Sequence, residues 1–270
     1  MLYGWLESGW VRLRTLHVTV PGLPPALDGL RIAHLSDFHL GVPSRGLHAV
    51  RKAVDWAEAG QPDLTLVTGD LLSHPRGEPE LRELMARLPR CYAVLGNHDV
   101  AAARDPFSRG AAVQGLRGAT LLNDEAWAVR VRDQGVQIVG MHPSTFLVGG
   151  DSRVGLLADH RAVLRILLCH YPDVVDRLPE GTFHLVLAGH MHDGQICVPL
   201  PNGKKIRCAH PRARYPHGLY GDHGGVMHVS AGLGTTFVPF RFCARPEATL
   251  LILHSPAGPP EPAAPKRTAP

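Results

Sequence analysis

Cys91-Tyr92-Ala93-Val94-Leu95-Gly96-Asn97-His98-Asp99 is the stretch whose reading decides the fold. A short apolar run meets a glycine and then three polar side chains: a neutral oxygen donor, an imidazole and a carboxylate. Such a run reads as a strand buried in a sheet, and the polar residues fall where that strand leaves it. The construction recurs. Leu30–Ser36 ends at Asp37-Phe38-His39, and Asp63–Thr68 at Gly69-Asp70. Arg165–Cys169 ends at His170, and His184–Ala188 at Gly189-His190-Met191-His192.

Between the early runs lie helical patterns. Ser44 opens one with Leu47, Val50, Val54 and Ala57 on one face, and a second aligns Leu81, Leu84, Met85 and Leu88. Strand, helix, strand, helix, strand is the pattern of an α/β fold, a parallel sheet covered by helices. Residues 100–118 read as loop and helix. Thr120–Asn123, Trp127–Val131 and Val136–Gly140 read as a meander of shorter strands, and Val154–Leu164 as a helical patch. Val226–Ser230 and Ala248–Leu253 are late strands. Residues 1–28 are expected to be a strand and connector packed on a domain of residues 29–254, and residues 255–270, rich in Pro and Ala, a disordered tail.

Asp37, His39, Asp70, Asn97, His170, His190 and His192 all sit at the carboxyl end of a predicted strand, where open α/β sheets form their ligand crevice. Three oxygen donors and four imidazoles without a thiolate suit borderline-to-hard divalent ions. Seven ligands are too many for one tetrahedral ion and fit two ions sharing a carboxylate, an arrangement that holds the attacking and leaving oxygens of a phosphoryl transfer and acidifies a shared water. Gly69, Gly96 and Gly189 each precede one of these residues, where the backbone must turn sharply or pack close. The 17 histidines in 270 residues fit a search for metal sites. Net charge is only +4, and no aromatic-plus-basic surface is evident, which argues against nucleic acid as a partner. Five scattered cysteines without a Cys-x-x-Cys pair suit a reducing compartment, so the expected location is cytoplasmic.

The ordered set Asp37-x-His39, Gly69-Asp70, Gly96-Asn97-His98-Asp99, His170 and Gly189-His190-x-His192 resembles the calcineurin-like metallophosphoesterase superfamily. The longer strings Leu35–Gly41, His170–Asp173 and Val229–Gly234 resemble a bacterial branch of membrane-associated phosphoesterases and UDP-2,3-diacylglucosamine hydrolase-like proteins. The resemblance implies a four-layer α/β/β/α sandwich with a dinuclear centre. Asp37, His39 and His192 would hold one ion, Asn97, His170 and His190 the other, and Asp70 would bridge. His98 would protonate the leaving oxygen while Asp99 orients its imidazole. The implied activity is hydrolysis of a phosphodiester, phosphomonoester or pyrophosphate bond by metal-bound hydroxide, with manganese the expected metal and iron or zinc the alternatives. A UDP-linked acylated sugar is one candidate substrate.

Where the branch carries threonine and glycine, this chain has Met191 and Asp193. Asp193 is expected either to accept from a ligand imidazole N–H or to hinder an anionic substrate. His142 follows a strand and is a candidate to approach the site. His34 reads as core or as support behind a ligand, and His228 as a surface or packing residue. Lys204, Lys205, Arg207, Arg212 and Arg214 form a basic segment, read first as a solvated loop and second as a clasp for a phosphorylated substrate. Leu2, Tyr3, Trp5, Leu6 and Trp10 read first as an edge segment packed on the domain and second as a membrane-surface element at the inner face of a membrane, suited to a lipid-linked substrate. Two further functions compete: a metal-binding scaffold without chemistry, which would be expected to lack some ligands or His98, and a nuclease, which a negative gel shift at low salt would exclude.

Overall fold

The computed structural model describes residues 1–109, 113–221 and 224–256. The elements run α1 (Leu2–Glu7), β1 (Arg12–Thr19), β2 (Leu30–Leu35), α2 (Gly46–Gly60), β3 (Leu64–Thr68), α3 (Glu78–Arg87), β4 (Cys91–Val94), β5 (Ala119–Leu121), β6 (Glu125–Val131) and β7 (Gln134–Gly140). There follow α4 (Pro143–Leu147), α5 (Asp151–Gly155), β8 (Leu164–Leu168), β9 (Leu185–Ala188), β10 (Cys197–Pro199), β11 (Lys205–Arg207), β12 (Gly218–Tyr220), β13 (Val226–Val229) and β14 (Glu247–His254). Two six-stranded sheets result, ordered β1-β14-β2-β3-β4-β5 and β12-β13-β9-β8-β7-β6, and β10 and β11 form a separate hairpin.

Alternation along the strands builds the layers. Ile32, Leu64, Leu66 and Leu251 of the first sheet meet Ile138, Ile166, Leu185 and Leu187 of the second in one inter-sheet core. The opposite face of the first sheet, with Ala33, Leu35 and Val67, packs on Val50, Val54, Leu81, Leu84 and Met85 of α2 and α3. On the outer face of the second sheet, Val139, Leu167 and Val186 pack on Val154 and the short helical turn carrying Val174 and Val175. That outer layer consists of short helical segments rather than long helices.

The helices stop and start for local reasons. Ser44 Oγ accepts from the Gly46 amide as α2 begins, and Gln61 in the left-handed region ends it. In α3, Glu78 and Glu80 lie in the first turn and Arg87 in the last, which complements the helix dipole. Arg87 also pairs with Asp55 and Glu58 of α2.

Several sequence expectations change. Ala119–Leu121 is no part of a meander: it pairs in parallel with β4 at the edge of the first sheet, and only β6 and β7 form the antiparallel hairpin. The helical patch ends at Gly155, because the Gln137 side chain takes up Leu157 O and the Asp159 amide and a turn leads into β8. Among the described residues of 100–118 there is no helix. The N-terminal segment is both helix and strand. Gly4 seats α1 against Phe240 and Arg241, and buried Glu7 accepts from the amides of Cys243 and Ala244. β1 pairs in parallel with β14, which itself runs antiparallel to β2 and separates β1 from the other strands. The tail expected to be disordered lies, from residue 257, outside the described residues.

Candidate metal centre

The parallel strands β2, β3 and β4 of one sheet and β8 and β9 of the other end at a common edge. Asp37, Asp70, His170 and His190 each stand at the second residue past their strand. The chain leaves these strands in an unusual conformation: Asp37, His39, Asp70, His190 and His192 all have φ between 46° and 70°. This left-handed region is uncommon for residues with a Cβ, and Asp and His tolerate it better than most. Gly69 has φ of 86°, and a Cβ on Gly189 would overlap Ser36 and the Asp37 carboxylate. Strain of this kind persists only where surrounding structure enforces it.

All seven residues named from the sequence come together. His39 Nε2 lies 3.0 Å from His192 Nε2 and 3.5 Å from Asp70 Oδ2, and His192 Nε2 is 3.3 Å from Asp37 Oδ1. On the other side, His170 Nε2 is 3.2 Å from Asp70 Oδ2, 3.1 Å from Asn97 Oδ1 and 3.1 Å from His190 Nδ1. Asp37, His39 and His192 form one compact group, and Asp70, His170 and His190 another.

Hydrogen bonding behind the ring nitrogens tells which atoms face inward. His170 Nδ1 contacts the Thr68 carbonyl at 2.9 Å, so Nδ1 carries the proton and donates, leaving a bare lone pair on Nε2. That lone pair faces a carboxylate oxygen, an amide oxygen and another imidazole nitrogen. His39 Nδ1 is likewise engaged, by Ser73 Oγ at 2.8 Å, with Nε2 turned inward. Imidazole nitrogens, carboxylate oxygens and an amide oxygen thus converge on one buried space, a mixed nitrogen and oxygen donor set that fits divalent metal.

Electrostatics agree. Burial alone would raise Asp37 and Asp70, but the facing imidazoles outweigh it and hold both carboxyls well below the usual range. Burial opposes charge on His170, yet Asp70 and Asp37 push it up to about 9, so without a cation Nε2 takes up a proton in the place a metal would fill. His190 goes the other way, lowered to about 3 by burial and by the charge of His170.

His98 stands beside this set, its Nε2 3.9 Å from Asp70 Oδ2 and 3.4 Å from Thr236 Oγ1. Its Nδ1 is contacted by Ser108 Oγ at 2.8 Å and Ser73 Oγ at 3.2 Å. With the Ser73 oxygen accepting from His39, its hydroxyl donates to His98 Nδ1, and the His98 proton lies on Nε2, toward the centre.

Four residues stand elsewhere than one of their readings placed them. Asp99 does not hold the His98 imidazole: Oδ2 accepts from the amides of Leu71 (3.1 Å) and Gly96 (2.8 Å), and Oδ1 from Leu72 (2.9 Å). Burial and the Asp70 charge raise Asp99 to about 7 against the pull of those amides. Asp193 does not accept from an imidazole, because its carboxylate is taken by Lys205 Nζ (2.6 Å) and by Arg207 Nε (3.0 Å). Arg207 is therefore bound to a carboxylate rather than free to clasp substrate. His142 caps α4 through Nδ1 and its amide binds Asp124, so it serves a turn and stands in neither acidic-imidazole group.

Sequence reasoning missed Ser73, Ser108, Thr236 and Arg241. The Arg241 guanidinium is fully buried, donates to Gly234 O and Ala244 O, and lies 3.1 Å from His192 Nδ1. Its only signal in the sequence is a cation flanked by Phe240 and Phe242.

A two-sheet α/β fold whose strand ends gather four imidazoles and three oxygen donors defines a metal-dependent hydrolase class. The chain belongs to the calcineurin-like phosphoesterase family, whose model matches residues 30–194. It is 28% identical over 254 residues to the uncharacterized metallophosphoesterase YkoQ of Bacillus subtilis, covering 88% of this chain and 89% of that protein. It is 26% identical over 260 residues to phosphodiesterase YaeI of Escherichia coli (92% and 90%). It is 25% identical over 300 residues to the UDP-2,3-diacylglucosamine pyrophosphatase LpxG of Chlamydia trachomatis (91% and 90%). The protein is thus a metal-dependent hydrolase of phosphoesters. No helix among the described residues is long and apolar enough to cross a membrane.

Proposed function

We propose that the protein cleaves a phosphodiester, phosphomonoester or pyrophosphate bond of a small phosphorylated substrate at a centre for two divalent ions. Asp37, His39 and His192 would hold one ion, Asn97, His170 and His190 the other, with Asp70 between them. Manganese is the proposed metal, since the set is mixed oxygen and nitrogen without sulfur. Bound ions supply Lewis acidity, which draws charge from phosphoryl oxygens and acidifies water.

The observation that carries the reading is the place of His98 Nε2, 3.9 Å from Asp70 Oδ2 at the edge of the ligand set. Ser108 and Ser73 hold the ring from behind, so the proton is aimed at the position of a leaving oxygen beside Asp70. The acid form is the doubly protonated imidazole, with Nδ1–H donating to Ser108 Oγ; once the Nε2 proton has passed to the leaving oxygen, the neutral ring takes one back from solvent. The scaffold reading is disfavoured because neither a ligand nor this acid is missing.

A lipid-linked substrate, with a UDP-linked acylated sugar as candidate, is favoured by the apolar surroundings. A groove of about 250 Å³ lined by Met191, His192, Ile196, His210, Phe237 and Val238 opens beside the centre. On the same loop, the Phe242 ring meets Tyr3 of α1, whose Leu2, Trp5 and Leu6 are exposed. This aromatic face suits peripheral contact at the cytoplasmic side of a membrane.

The test is a screen of the manganese-loaded enzyme against aryl phosphomonoesters and phosphodiesters, nucleotides and a UDP-acylglucosamine. His98→Ala is expected to lower kcat by about 10²–10⁴-fold with bound metal unchanged. Equal rates in His98→Ala and the unaltered protein would refute the role of the imidazole.

A further inference from the structure

His34 on β2 and His228 on β13 belong to opposite sheets, and both are fully buried between them. Their Nδ1 atoms are 2.7 Å apart. His34 Nε2 continues to Thr68 Oγ1 at 2.9 Å, Thr68 Oγ1 to Ser36 Oγ at 2.7 Å, and Ser36 Oγ to Asp37 Oδ2 at 2.5 Å. An unbroken chain of hydrogen bonds therefore runs from the inter-sheet interior to a carboxylate of the centre.

The direction of every bond in it follows from its end. The carboxylate only accepts, so Ser36 donates to Asp37. The Ser36 oxygen then accepts from the Thr68 hydroxyl, and Thr68, its one proton used, accepts from His34 Nε2–H. Burial keeps both imidazoles neutral, with His34 lowered to about 3 and His228 well below its ordinary value. A neutral His34 protonated on Nε2 must accept at Nδ1, so His228 donates through Nδ1–H. His228 Nε2 is thereby left a bare acceptor, and this buried atom has no hydrogen-bond partner among the described residues. Reversing the chain would require a proton on Asp37 and would leave a buried N–H without an acceptor at the same atom.

We infer that this chain positions Asp37 for metal: it binds Oδ2 through Ser36 and turns Oδ1 toward His39 and His192. Thr68 and His34 are positioning residues of the site formed by Asp37, His39 and His192, and neither needs to touch the ion or the substrate. The inference rests on the reading that Asp37 holds a divalent ion.

The experiment titrates metal-stripped full-length protein with Mn²⁺ by calorimetry, following both binding steps. Thr68→Val keeps the shape of the side chain and removes its hydroxyl; Thr68→Ser restores the hydroxyl. Ser36→Ala breaks the chain one link closer to Asp37 and guards against a folding defect in Thr68→Val, with circular dichroism checking each variant. Thr68→Val and Ser36→Ala are expected to bind one of the two ions about 10–100-fold more weakly, with the other step unchanged and Thr68→Ser like the unaltered protein. Folded Thr68→Val and Ser36→Ala with both steps intact would overturn the inference alone, as would equal weakening of both steps. Failure of the unaltered protein to bind Mn²⁺ would overturn this inference together with the proposed metal centre.

Discussion

Replacing Asp99 by Asn separates two roles for a residue that sits next to His98. The carboxylate accepts three amide hydrogen bonds, two on Oδ2 and one on Oδ1, and in doing so ties the Gly96 turn to the loop after β3. A carboxamide has one accepting oxygen. Its best orientation serves Leu71 and Gly96 and turns an NH₂ group against the Leu72 amide. One charge-assisted bond of about 1.5–3 kcal/mol disappears, and the other two weaken toward the ~0.5–1.5 kcal/mol of neutral pairs. Removing a buried charge beside Asp70 offsets part of this, so Asp99→Asn should destabilise the fold by about 2–3 kcal/mol. In a chain of this size that corresponds to a Tm lower by roughly 5–10 °C, measurable by differential scanning fluorimetry. Since Asp99 does not meet the imidazole, the folded variant should keep its kcat on the plateau of the pH–rate profile. An unchanged Tm, or a kcat lowered as far as in His98→Ala, would refute the argument and return Asp99 to orienting His98.

Two further outcomes follow from the same geometry. Stripping metal with EDTA removes whatever cation stands between the two carboxylates Asp37 and Asp70 and the ring nitrogens facing them. A ligand at 100 times its Kd stabilises by about 2.7 kcal/mol, so Tm should fall by several degrees and recover on adding Mn²⁺; a Tm indifferent to EDTA would contradict the metal centre. His184 is lowered to about 4, mainly by burial and then by the Arg165 charge, and its Nδ1 accepts from the Arg165 amide. Because the unfolded chain binds this proton near pH 6.5 and the folded chain only near pH 4, its stabilising contribution is present above pH 6.5 and lost as pH falls through that window. His184→Gln should flatten the dependence of the urea midpoint on pH between 4 and 6.5, and an unaltered slope would exclude the assignment.

The ligand set was legible because each strand is a short apolar run ended by a hard polar side chain, so Asp37, Asp70, His170 and His190 mark their own strand ends. Partners that depend on distant chain were not. Asp99 adjoins His98 in sequence, yet neighbours in a turn project in different directions, and its acceptor sites meet amides 27 and 28 residues away as well as Gly96. Arg241 reaches His192 across 49 residues. The three residues of β5 pair with β4 rather than β6, a choice that a short alternating stretch cannot encode. The left-handed backbone at five of the ligand residues has no signature beyond the tolerance of Asp and His for it.

The place of β14 bears on when this protein can acquire its shape. It joins β1 to β2, yet it is made only after His192, the last of the ligand residues. A nascent chain halted between residues 193 and 246 would carry every side chain of the metal centre while β1 had no neighbour in the first sheet. Pairing across so long a separation is slow and comes late. The strand that closes the scaffold is thus synthesised after the residues it helps to organise, and metal loading is expected to wait for β14 rather than for the last ligand residue.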